Sequence, residues 1–165
     1  MNTEPIKSRR SVRKYLPKEV PDAVVDDILD CGRLAPTARN AQPWLLCSVQ
    51  DKGVLAGLAA LADHGRFIAG CAVCFAVFCV RGEKYYLEDG CAAAMNIIHA
   101  CHAHGLGSCW VAGDKKSYAD EVRVLLGVPE AYALVALVPA GFPDEAPKTG
   151  KKPSSEVLLK IMPKR

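Results

Sequence analysis

The chain has 165 residues, half of them apolar and 24% charged, with no apolar run near the roughly 18 residues of a membrane span and a polar start without an apolar leader core; a single soluble, cytoplasmic domain over residues 1–165 is expected. The net charge of +3 is unevenly spread: residues 1–18 and 148–165 each carry six Lys/Arg and one Glu, leaving nine Lys/Arg against sixteen Asp/Glu between them. Basic ends around an acidic body argue against a broad nucleic-acid face, which needs a basic body, and fit two termini that converge on one small anion.

Residues 4–10 suit a short first helix. It ends at Arg9-Arg10-Ser11-Val12-Arg13, three guanidinium groups and one hydroxyl within five residues. Guanidinium forks match phosphate oxygens, and Ser adds a donor. Pro21 and Asp22 mark the start of a second helix over about 21–34, with Val24, Val25, Ile28 and Leu29 at helical spacing. The segment APTARNAQPW, residues 35–44, is a loop by composition. Residues 45–50 read as a strand, and Asp51 as the cap of a short helix carrying Leu55, Leu58 and Leu61. Residues 71–80 are almost unbroken apolar, the signature of a central strand covered on both faces.

A long helix is expected over 84–104, apolar nearly all round and so buried in a core or between subunits. Residues 107–113 suggest a strand, Asp114 the cap of a helix over 115–126, and residues 132–139 a further strand. The tail from residue 144 is rich in Pro and Lys and carries Val157, Leu158, Leu159 and Ile161, a cluster suited to packing on another surface. The pattern fits the α+β class, a central mixed sheet flanked by helices.

Three chemistries compete. The eight Cys lie mostly in apolar runs and read as reduced core residues. Cys71 and Cys74 form the one close pair in strand-like sequence, where residues three apart should face opposite ways, so a thiol redox site is disfavoured. His99, His102, His104, Cys101 and Cys109 lack a recognised ligand spacing, so no metal site is assigned. A nucleotide site would lack a glycine loop: Gly105-Leu-Gly107 has no third Gly in place. Any phosphate would be held by side chains.

Several motifs, in order, carry a resemblance. RRSVRKY at residues 9–15, APTARNAQPW at 35–44, EDGCAAAMN at 88–96 with GLGSCWVAG at 105–113, and KKP at 151–153 are together similar to the nitroreductase family of FMN-dependent NAD(P)H oxidoreductases. The resemblance implies an interlocked homodimer with tightly but non-covalently bound FMN at the interface. By this resemblance Arg9, Arg10 and Ser11 hold the phosphate and ribityl chain, Lys151 is a second phosphate cation, and Arg13 sits near the flavin N1 edge. Pro36, Thr37 and Ala38 match positions the other subunit lays against the ring. Trp110, Val111, Ala112 and Gly113 flank it, with a backbone N–H near Ala112 or Gly113 for N5. No catalytic side chain is assigned, because the flavin supplies the chemistry.

The activity implied is two-step transfer from NAD(P)H to a nitroaromatic, quinone-like or other conjugated small molecule. The alternatives are an FMN carrier or sensor, or specialised flavin chemistry such as dehalogenation or dehydrogenation. Three departures stand out: a short link between Val80 and Tyr86, Lys where Arg is frequent in the closing motif, and no clear match for the family's polar flavin contact between Leu61 and Gly70, for which Arg66 is a candidate. The tail, about 144–165, is expected to pack on the partner subunit.

Overall fold

The unbroken apolar run of residues 71–80 is the middle of the molecule. In the computed structural model, which describes residues 3–159 and 161, it forms strand β2 (Val73–Val80) between β1 (Trp44–Val49) and β5 (Tyr132–Gly141). Two short strands, β3 (Gly107–Ser108) and β4 (Val111–Ala112), pair with the far side of β5. Every pairing of these strands is antiparallel, from Trp44 opposite Cys79 to Ala112 opposite Ala136. The class is α+β as expected. The expected mixed character shrinks to one isolated parallel bridge, Ser11 with Ser108.

Strand alternation explains why β2 is apolar throughout. Val73, Phe75, Val77 and Cys79 face a cluster with Val25, Ile28, Ala93 and Ile97. Cys74, Ala76 and Phe78 face the opposite cluster with Leu55, Leu58, Ile68 and Val122. Helices α2 (Asp22–Arg33) and α4 (Tyr86–Ala103) cover the first face. Helices α3 (Lys52–Leu61) and α5 (Ala119–Leu125) cover the second. Gly90 lets α4 lie close, since a Cβ there would stand 2.6 Å from a Val135 methyl.

The expected cap of α3 is present, with Asp51 Oδ1 accepting from the Val54 N–H at 2.9 Å. The other expected cap is absent. Asp114 accepts from the Tyr86 hydroxyl at 2.7 Å, residues 114–115 and 117–118 form turns, and α5 starts at Ala119. Helix α1 (Glu4–Ser8) ends before the basic cluster, so Arg9 onward is extended. The expected strand over 107–113 is broken at Cys109 and Trp110. Cys71 precedes β2, so strand alternation does not separate it from Cys74; both thiols lie in the same cluster.

Candidate functional site

The basic segment is laid along the open side of the sheet. Val12 N–H donates to the Ser108 carbonyl at 2.9 Å, and Leu16 N–H to the Phe142 carbonyl at 2.8 Å. The Tyr15 hydroxyl donates to the Val12 and Pro139 carbonyls. Val12 is buried, and extended backbone therefore turns Ser11 and Arg13 the other way. Gly107 permits this approach, because a Cβ there would meet Val12 Cβ at 2.7 Å. From the tail, Glu145 Oε1 accepts from the N–H groups of Arg13 and Lys14 at 2.5 and 3.2 Å, and Asp144 N–H donates to the Lys14 carbonyl. Beginning and end of the chain are thus tied side by side.

Together they form one wall of a cleft of about 980 Å³. Arg9, Arg10, Ser11, Arg13 and Lys14 line it from the N-terminal side, and Pro147, Thr149 and Lys151 from the tail. The facing wall is the connection from α3 to β2, with Asp63, His64, Arg66 and Phe67. A smaller cavity of about 200 Å³ adjoins it, sharing Arg13, Asp63, His64 and Phe67. Cys109, Trp110, Val111, Ala112, Lys116 and Tyr118 complete that second space.

The charges are lopsided. Asp63 is paired with Lys116 at 3.4 Å, and Glu145 is occupied by backbone N–H groups. Arg10 donates to the Lys7 and Arg9 carbonyls, both at 2.9 Å, and so is partly committed to the end of α1. Arg9, Arg13, Lys14, Arg66 and Lys151 have no carboxylate partner among the described residues. The Arg13 guanidinium lies 5.8 Å from the centroid of the Phe67 ring. Burial pushes the Cys109 thiol up, opposed by Arg13, Ser11 and Arg9.

Of the expected site residues, the four in the basic segment and Lys151 line one cleft. Trp110, Val111 and Ala112 line the adjoining space. Gly113 lies just beyond it, and its N–H already donates to the Val135 carbonyl at 3.1 Å. Antiparallel alternation points the neighbouring Ala112 N–H to the opposite edge. Ala112 is therefore the better donor of the two expected. Pro36, Thr37 and Ala38 stand apart from both spaces, in the connection from α2 to β1. Asp89 Oδ1, on buried α4, holds the Ala38 N–H at 3.0 Å.

Asp63, His64 and Phe67 were not expected. Their signal was a polar and aromatic run around Gly65, in a segment where Arg66 alone stood out. Of the remaining candidates, His102 bonds Ser8 Oγ at 2.8 Å and His104 bonds Asp27 at 2.7 Å, tying the end of α4 to α1 and α2, whereas the buried Nδ1 of His99 has no hydrogen-bond partner among the described residues. Among the described residues no three potential metal ligands gather. Burial pushes the Cys71 thiol up to about 12 and Cys74 well above the usual range, so neither offers a thiolate near neutrality.

The donor set suits a ligand with a phosphate at one end and a flat apolar body at the other. Comparison with known proteins agrees. Residues 6–66 and 65–142 match the nitroreductase family profile. A Methanothermobacter thermautotrophicus protein, provisionally named NADH dehydrogenase/NAD(P)H nitroreductase, is 32% identical over 151 residues, covering 88% of this chain and 79% of its own. An FMN-dependent nitroreductase of Clostridium difficile superposes with a TM-score of 0.86 at 28% identity, covering 96% of this chain and 98% of that one. A provisionally named nitroreductase of Desulfovibrio desulfuricans, solved in complex with FMN, gives 0.84 at 28% identity over 98% of both chains.

Proposed function

This chain belongs to the nitroreductase family, and on that premise we propose that it passes electrons from NAD(P)H to nitroaromatic, quinone-like or other conjugated acceptors in two separate half-reactions. It is an FMN-dependent oxidoreductase with NAD(P)H as donor. The observation that carries the reading is the convergence of the basic segment and Lys151 on one cleft, where Arg9, Arg13, Lys14 and Lys151 have no salt-bridged carboxylate among the described residues.

FMN, when bound, supplies the two-electron chemistry that connects donor and acceptor. The overall balance is NAD(P)H, one proton and a nitro compound giving NAD(P)+, a nitroso compound and water. The chain's residues bind and orient. Arg9, Ser11 and Lys151 would hold the phosphate, and Arg10 would stiffen the turn that presents Arg9. Arg13 would offer positive charge where reduction places negative charge, which favours the reduced cofactor. The Ala112 N–H would donate to the ring, and Trp110 and Val111 would wall it. Pro36, Thr37 and Ala38 reach none of this within one chain, which supports a homodimer in which each chain's loop completes the other's site. The tail from about residue 144 would pack on the partner. Eight free cysteines suit the reducing cytoplasm, and among the described residues no helix is long and apolar enough to cross a membrane.

The test is direct. Purified chain loaded with FMN should be yellow and should bleach when mixed anaerobically with NADH or NADPH. The Arg9→Ala, Arg13→Ala double variant should lose most FMN. Each charge-assisted bond contributes about 1.5–3 kcal/mol, so the pair is worth several orders of magnitude in affinity. Loaded protein that does not bleach would leave a flavin carrier; unchanged FMN affinity in the double variant would remove the phosphate role.

A further inference from the structure

A carboxylate stands where a phosphate site should exclude one. Glu145 lines the cleft with Arg9, Ser11, Arg13 and Lys151, and an acid there opposes a bound anion. Its side chain has another use. Glu145 Oε1 accepts from two successive backbone N–H groups, Arg13 at 2.5 Å and Lys14 at 3.2 Å. The pairing of the tail with the basic segment up to this point does not need that side chain. It rests on backbone bonds, Leu16 N–H to the Phe142 carbonyl at 2.8 Å and Asp144 N–H to the Lys14 carbonyl at 2.9 Å. What Glu145 governs lies beyond it. Among the described residues, no hydrogen bond ties residues 146–152 to the rest of the chain. Lys151 lies in this stretch, and Pro147 stiffens the path to it by fixing its own φ and restricting Ala146.

We propose, resting on the FMN-dependent reading above, that Glu145 is a positioning residue for the phosphate site: it clamps the start of the tail onto the Arg13–Lys14 backbone and so holds Lys151 at the cleft. Two N–H donors offset part of its charge, which lets an acid line a cleft that takes an anion. Toward the tail, the clamp shortens the free path that ends in Lys151. A looser path would lose more conformational entropy when Lys151 closes on its ligand. Toward the N-terminal segment, the clamp fixes the backbone from which Arg13 projects. Glu145 itself touches no phosphate.

The experiment titrates FMN into full-length, cofactor-stripped protein. The variants are Glu145→Gln, Glu145→Ala, Lys151→Ala and the Glu145→Ala, Lys151→Ala double variant. An acid that only repelled the phosphate would leave FMN bound more tightly once removed. The clamp requires the reverse. Glu145→Ala should raise the Kd at least about tenfold, as for one charge-assisted bond. Glu145→Gln, whose side-chain oxygen still accepts, should raise it less. The effect of the double variant should fall well short of the product of the two single effects, because anchor and cation act through one contact. Trypsin should cut after Lys148 and Lys151 faster in Glu145→Ala than in the wild type, while cuts elsewhere keep their rates. Unchanged or tighter FMN binding in Glu145→Ala, single effects that simply multiply, or unaltered cleavage at those two sites overturns the clamp. So does wild-type FMN affinity in Lys151→Ala. A wild-type chain that cannot be loaded with FMN sinks the FMN-dependent reading, and the cleavage comparison, made without cofactor, then decides the clamp by itself.

Discussion

Gly107 governs how near the basic segment comes to the sheet. A methyl group at this position would press on Val12 from 2.7 Å, and Val12 is the buried residue that turns Ser11 and Arg13 outward. Gly107→Ala should therefore cost about 1–3 kcal/mol of stability through overpacking and weaken FMN binding as well. Urea unfolding and flavin titration check both. A loss of stability with FMN affinity intact would separate Val12 from the site. The buried thiols make a second prediction. Burial pushes Cys71, Cys79 and Cys101 up to about 12, against about 8.5 for a free thiol. The unfolded chain releases these protons first as pH rises, so stability is full below about pH 8.5 and falls from there towards pH 12. Each thiol contributes a slope of about 1.4 kcal/mol per pH unit within that window. The urea midpoint should drop between pH 8 and 10, and less so in Cys71→Ala.

At the level of elements, α4 does more than cover the sheet. Its buried Asp89 anchors the 35–43 connection through the Ala38 N–H. That connection holds Arg39, Asn40 and Gln42 at φ between 48° and 57°, a left-handed conformation unfavourable for these side chains. All three are exposed, so packing within the chain does not compensate. The strain is the kind held where a loop must present a fixed shape. Asp89→Ala should release it: backbone hydrogen exchange should rise across residues 37–42, and stability should fall by about 1–3 kcal/mol, the cost of losing a charge-assisted bond at a buried position. Exchange unchanged in this segment would show that Thr37, which also accepts from the Gln42 N–H at 3.2 Å, suffices to hold the loop.

At the scale of the molecule, the tail is out of balance with water. Val157, Leu158, Leu159 and Ile161 are 59%, 65%, 86% and 88% exposed. Burying one such side chain contributes about 1.5–3 kcal/mol, so a partner surface would gain substantially from covering four. Together with the remote position of Pro36, Thr37 and Ala38, this favours two chains. Sedimentation should show a dimer at micromolar concentration, and deletion of residues 154–165 should shift it towards monomer and loosen FMN. A deletion variant that remains fully dimeric would place the interface elsewhere, on α4 and the 35–43 loop.

The sequence by itself carried the elements with strong periodicity, and β2 and α2 fell where the patterns put them because their apolar spacing has one solution in each geometry. Its charge pattern pointed to two basic ends converging on one small anion, and the basic segment and Lys151 do line one cleft. Local signals misled where tertiary bonds compete with them. Asp114 looked like a cap, yet the Tyr86 hydroxyl, 28 residues away in sequence, claims its carboxylate. Of the α3–β2 wall, Arg66 alone was a candidate in the sequence; His64 and Phe67 could not be read as part of the site, since nothing in their spacing shows which surface they will face. Tertiary structure made that decision by packing α3 and the following turn against β2, which sets this wall opposite Arg9–Lys14. The cleft exists because β3 and β5 draw the first residues and the tail to the same edge, an outcome of hydrogen bonds between residues more than 90 apart.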